Sequence, residues 1–216
     1  MASSLPDPQP LLVYRYFRES RHADSMLRGA VRLSTLATCR AYEDAEQGDP
    51  DEGTQTYLSG TIKGGSNDAE FVEQARRSGI SIGPGCSDIL IDSCTSRRTV
   101  SDAYLLCTTS YRDDKLFSKS FGDYCVEILA PSVVLWHITR VLFSLGQTDR
   151  GSCAPVTYRD RVYTGLEVIE HPIFVKPAVP YAPQREFRFA WIPYGPLSGP
   201  LDVVVPSISH YCRRVA

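Results

Sequence analysis

The 216-residue sequence predicts an α+β or mostly-β core with few helices. Short β-rich runs recur along the chain, while only two stretches carry a helical pattern. The length suits one domain with a real hydrophobic core. Leu11 to Phe17 (LLVYRYF) is rich in β-formers and opens the fold. Glu19 to Arg28 carries helix formers and stops at Gly29, which fits a left-handed C-cap. Ala30 to Leu36 alternates and predicts a second strand. The Asp-, Gly- and Pro-rich segment from Glu43 to Gly53 predicts a loop.

Further strands are expected at Tyr57 to Ile62, Asp88 to Asp92, Ala103 to Thr109 and Asp123 to Leu129. Val156 to Tyr163, Glu186 to Trp191 and Leu201 to Val205 follow the same pattern. The second strong helix is Pro131 to Leu145, with Pro in its first turn, an apolar face through Val134, Ile138 and Leu142, and Gly146 as its stop. No repeat or low-complexity block interrupts residues 11–216, which read as one domain behind a disordered lead at 1–10.

Composition excludes several classes. The apolar runs are far shorter than the about 18 residues that read as a membrane span, and the N-terminus lacks the basic and apolar regions of a signal peptide. A cytoplasmic protein is therefore expected. Seven scattered cysteines with no Cys-x-x-Cys predict structural thiols rather than a disulfide framework or zinc site. The four histidines have no Cys or Ser partner in a nucleophile signature, and Ser81 to Cys86 lacks the Lys of a phosphate-binding loop.

The net charge of -2 hides an uneven distribution. Ala41 to Gly53 holds six acids and no base, leaving a remainder of +4, and the cations are 19 Arg against 4 Lys. Arg is the side chain suited to bidentate phosphate contacts. Three readings of the acidic segment stay open: a solvated loop, a charged rim in which Arg40, Glu43, Asp44, Asp49 and Glu52 position a substrate, or a Mg or Ca site of hard oxygens. Tyr111 to Asp114 follows a strand end, where functional loops concentrate, and makes Tyr111 a further substrate-binding candidate.

Three pieces stand out together: Tyr14-Arg15-Tyr16 in the first strand, Ser34-Thr35 in the second, and Gln184-Arg185-Glu186 opening a late one. In this order they resemble the Arg, Ser-Thr and Gln-x-Glu branch of the ADP-ribosyltransferase family. The resemblance implies a split β-sheet core and NAD as co-substrate. It implies that Arg15 contacts phosphate, that Ser34 and Thr35 shape the nicotinamide-ribose site, and that Gln184 and Glu186 are catalytic. Tyr14 or Tyr16 would share phosphate or adenine contacts.

The chemistry suits these residue types. Cleaving the nicotinamide bond passes through an oxocarbenium-like centre that an ionised Glu186 can stabilise. A guanidinium grips pyrophosphate with a planar fork, and the residue two before Glu186 in a strand faces the same side, towards an acceptor.

A wider pattern extends over most of residues 12 to 192: YRYF, LSTLATCRAYEDAEQGDPDEG, YLLCTTSYRDD, FGDYCVEI and QREFRFAW. It is similar to prokaryotic toxin-like proteins related to the messenger-RNA ADP-ribosyltransferase toxins of phage-defence toxin, antitoxin and chaperone systems. That implies an RNA or protein acceptor, RNA favoured, and an antitoxin partner. Hydrolysis of NAD and a non-catalytic interaction module are the alternative functions.

Overall fold

Eight strands make the central sheet of the computed structural model, which describes residues 11–42 and 48–216. The lead at 1–10 and residues 43–47 lie outside the described residues. The opening matches the sequence reading: β1 (Val13–Phe17), α1 (Ser20–Leu27) and β2 (Ala30–Thr35). Gly29 adopts φ 88 and donates its N–H to the Met26 carbonyl, ending α1 as a left-handed cap.

The next stretch departs from expectation. A short α2 (Leu36–Ala41) follows β2, capped by the Thr35 hydroxyl, which accepts from the Thr38 N–H. The strand expected over Tyr57 to Ile62 is two strands, β3 (Thr54–Leu58) and β4 (Thr61–Gly64), because Gly60 turns the chain at φ 60 between them. An unforeseen α3 (Ala69–Arg77) starts where Asp68 accepts from the N–H groups of Glu70 and Phe71. The chain continues through β5 (Ile89–Asp92), β6 (Thr95–Thr99) and β7 (Tyr104–Thr109).

Tyr111 to Asp114 leads into another unforeseen helix, α4 (Asp114–Ser120), because Asp113 caps the N–H groups of Lys115 and Leu116. Then come β8 (Tyr124–Ile128) and the expected long helix α5 (Pro131–Ser144). The run expected as one strand over Val156 to Tyr163 is broken into β10 (Thr157–Tyr158) and β11 (Val162–Thr164), after β9 (Gly151–Pro155). Its two ends pair with different sheets, so it cannot stay straight. The chain ends with β12 (Val175–Lys176), β13 (Glu186–Trp191), β14 (Leu201–Val204) and β15 (Cys212–Arg214).

The fold is α+β, with a largely antiparallel central sheet. Its order is β14-β2-β7-β1-β8-β15, with β13 also on β7 and β9 beyond β13. β13 pairs along the whole of β7, from Glu186 opposite Thr109 to Trp191 opposite Tyr104. On its other edge, β7 pairs with β2 only at Tyr104 and Leu105 and with β1 only at Thr109. Between those contacts β1 and β2 part, leaving a split along the middle of β7.

Alternation along β13 decides what each face of the sheet holds. Phe187, Phe189 and Trp191 pack into the main core with Val134, Ile138 and Leu142 of α5 and Met26 of α1. Ala190 faces the opposite cluster of Leu36, Cys39, Ala103, Leu105 and Ile173. Among the described residues no helix is long and apolar enough to cross a membrane.

Candidate active site

The split in the sheet leaves the backbone carbonyl of Cys107 without a strand partner on that side, and the Arg15 side chain supplies one. Its Nη1 donates to the Cys107 oxygen at 3.2 Å. The guanidinium also lies 5.4 Å from the centre of the Phe17 ring. No described carboxylate pairs with it, and burial holds its pKa below the ordinary arginine value.

A cavity of about 210 Å³ opens here. Tyr14, Arg15 and Tyr16 of β1, Ser34 of β2 and Gln184 and Glu186 at the start of β13 all line it. Six of the seven NAD-facing and catalytic candidates thus converge, from segments about 170 residues apart in sequence. The Ser34 hydroxyl is buried and has no protein hydrogen-bond partner among the described residues. Phe117 and Phe121 close one side, with the Tyr16 ring 4.9 Å from Phe117 and its hydroxyl donating to Asp114 at 2.8 Å. Burial and that carboxylate push the Tyr16 hydroxyl pKa up.

Gln184 reaches the cavity by a different route from the one expected. It lies in a one-turn 3-10 segment before β13, and Arg185 between it and Glu186 is left-handed at φ 43. Three bonds to the Arg185 carbonyl hold this turn: Ser110 N–H at 2.9 Å, Ser110 hydroxyl at 3.1 Å and Thr109 hydroxyl at 3.4 Å. Simple strand alternation therefore does not place Gln184, although it does place Glu186 and Arg188 on one face.

Glu186 is only 4% exposed and belongs to a buried ion cluster. Arg188 Nε donates to its Oε1 at 2.7 Å, and Arg188 Nη1 donates to Glu52 Oε1 at 2.8 Å. The Lys176 ammonium stands 2.9 Å from Glu186 Oε2 and 3.5 Å from Glu52 Oε2. The Glu186 N–H donates to the Tyr158 hydroxyl at 2.7 Å, which fixes the start of the strand. Burial alone raises a carboxyl pKa, but Arg188 and Lys176 outweigh it and hold Glu186 well below the usual carboxylate range. Burial lowers the Lys176 pKa, and Glu186 and Glu52 more than reverse this. Sequence reading missed both cations. The Glu-x-Arg spacing in Glu186-Phe187-Arg188 is the one signal that points to Arg188; Lys176 has none.

Two thiols form part of the cavity wall, Cys39 of α2 and Cys107 of β7. A shared hydrogen bond lowers the Cys39 pKa and raises that of Cys107, whose burial raises it further. Cys86 is exposed, and all seven thiols are free.

The remaining candidates have other tasks. Thr35 is buried away from the cavity because its side chain caps α2. Arg40 is a buttress: Nε donates to the Glu52 carbonyl at 2.8 Å, Nη2 to Val100 at 2.7 Å and Nη1 to Ser101 at 3.1 Å. Asp49 is buried against Arg161, and Glu52 has zero exposure in the ion cluster. Neither is a solvated loop residue or a rim group, because Asp49 neutralises the half-buried Arg161 and Glu52 the buried Arg188. Tyr111 is exposed outside the cavity lining, with the Arg185 guanidinium 4.5 Å over its ring. Glu43 and Asp44 lie outside the described residues. Among the described residues no group of three or more His, Cys, Asp or Glu side chains is arranged to hold a metal ion.

Comparison with family models finds no match, and comparisons with curated proteins and with solved structures find none either.

Proposed function

We propose that this chain is an NAD-dependent mono-ADP-ribosyltransferase with the split-sheet ADP-ribosyltransferase fold. The observation that carries the reading is the convergence of Arg15, Ser34, Gln184 and Glu186 on one cavity at the parting of β1 and β2. A desolvated guanidinium with no described carboxylate partner suits a pyrophosphate, and a buried hydroxyl with no protein partner suits a polar ligand group. The volume falls below the roughly 300 Å³ lower end of sites that enclose a drug-sized ligand and suits one half of the dinucleotide, which the proposed role of Glu186 makes the nicotinamide-ribose half.

In the reaction, the C1′–N bond breaks and its electron pair returns to the nicotinamide ring, which leaves neutral. Positive charge develops on the ribose, where the Glu186 carboxylate stabilises it and accepts a hydrogen bond from a ribose hydroxyl. The acceptor then attacks C1′ and gives up its proton to solvent, while the Gln184 amide orients it without adding charge. The resemblance noted in the sequence favours RNA over protein as acceptor. It further supports a cytoplasmic toxin in phage defence or a toxin–antitoxin system, kept silent by an antitoxin protein.

Incubation with NAD labelled in its adenylate phosphate, in the presence of RNA and protein, tests this reading. Label is expected on RNA. Label recovered only as free ADP-ribose identifies an NAD glycohydrolase, and intact NAD identifies a non-catalytic interaction module. Expression is expected to arrest growth, with relief by Glu186→Ala; arrest that persists in the variant contradicts the toxin.

A further inference from the structure

Buried carboxylate oxygens need polar partners, and the cluster behind the cavity contains two that Arg188 does not bind, Glu186 Oε2 and Glu52 Oε2. Both face the same ammonium, that of Lys176, at 2.9 and 3.5 Å. The ammonium is shared between the two carboxylates and lies nearer to Glu186. The other oxygens of both carboxylates are fixed by Arg188, which also donates to the Ile173 carbonyl at 2.5 Å and has zero exposure. Of these four charged residues, only Lys176 and Glu186 line the cavity.

Resting on the proposed NAD reaction, we infer that Lys176 is a positioning residue that holds Glu186 Oε2 before substrate arrives and transfers to Glu52 Oε2 when a ribose hydroxyl takes its place. An ammonium on Oε2 occupies the oxygen that the hydroxyl needs and cancels the charge that the oxocarbenium centre needs. Transfer to Glu52 frees Oε2 and moves one of the two positive charges away from Glu186, while Arg188 stays on Oε1. It costs little, because Lys176 stays paired to a carboxylate in either position and the cluster keeps its total charge.

The components suit such a movement. A lysine ammonium is a compact point charge with three donors on a flexible stem, whereas the guanidinium of Arg188 is locked between two carboxylates. The Lys176 backbone is anchored by the parallel pairing of β12 with β10 and by the Arg159 N–H on the Lys176 carbonyl at 2.9 Å. The ring of Tyr181, 4.7 Å from the ammonium, flanks it with an aromatic face. Only the end of the side chain needs to move.

The direct test is a crystal structure of the full chain with carba-NAD, whose methylene-substituted ribose cannot form the oxocarbenium ion. The expected result has Lys176 Nζ beyond about 4 Å from Glu186 Oε2 and within about 3.2 Å of Glu52 Oε2. Carba-NAD seated in the cavity with Lys176 still on Glu186 overturns the inference and leaves the proposed function standing. Absence of carba-NAD from the cavity overturns both. Glu52→Gln supplies a kinetic test in the folded variant: removal of the second charge should lower kcat for nicotinamide release about tenfold, with KM for NAD nearly unchanged. An unchanged kcat contradicts the transfer.

Discussion

The two walls of the split use the same side chain in opposite ways. On the β13 wall, Arg188 has zero exposure and is bound by Glu186 and Glu52, so its pKa rises despite burial. On the β1 wall, Arg15 lacks a described carboxylate partner, and burial lowers its pKa. Arg188 is committed to holding other residues. Arg15 keeps its charge available, apart from the single bond to the Cys107 carbonyl. The difference shows that arginine content says little about anion binding until each guanidinium's partners are known.

Substitutions can break that contrast. Arg188→Met leaves two buried carboxylates with one ammonium, and breaking a buried pair costs about 3–5 kcal/mol. Thermal unfolding should show Tm falling by roughly 6–20 °C. An unchanged Tm would mean the cluster is not structural. Arg15→Ala should leave Tm much less affected and instead weaken NAD binding roughly 10- to 100-fold by calorimetry, the worth of charged hydrogen bonds at about 1.5–3 kcal/mol. Equal effects of the two variants on Tm would abolish the distinction.

Thr35→Ala sharpens it from a neutral side. Loss of the α2 cap should cost about 1 kcal/mol, a Tm shift of about 2–4 °C, with NAD affinity unaltered. A large loss of affinity would return Thr35 to the binding site. The smallest effect concerns acid. Because Glu186 has a depressed pKa in the fold, its contribution is present above its unfolded value of about 4.3 and is lost as pH falls towards the folded value. Acid titration of stability should therefore be steeper below about pH 4.3 for the wild type than for Glu186→Gln. Parallel curves would place Glu186 outside the ion cluster.

Local patterns in the sequence were enough for much of this framework. β13 spans Glu186–Trp191 as expected, and β1, β2 and α5 shift by no more than two residues at an end, because alternation, β-branching and terminal Gly or Pro act over short distances. α2, α3 and α4 escaped because they are short and start from Thr35, Asp68 and Asp113 caps rather than from long apolar stripes. The site divides in the same way. Arg15, Ser34 and Glu186 stand out on their own strands, but the cluster pairs Glu52 with a residue 136 positions away, and Asp49 of the same segment pairs with one 112 away. No local period encodes such pairs, so the sequence left the acidic segment open between a solvated loop, a rim and a metal site, whereas Asp49 and Glu52 are buried and Asp51 is exposed.

The most direct measurement is the rate of nicotinamide release from NAD by the wild type, Arg15→Ala and Glu186→Gln, with folding of each checked by its thermal transition. The wild type should release nicotinamide, Arg15→Ala should show a higher KM, and Glu186→Gln should lose about 100-fold or more in kcat. A folded Glu186→Gln that releases nicotinamide at the wild-type rate would contradict the catalytic role of Glu186.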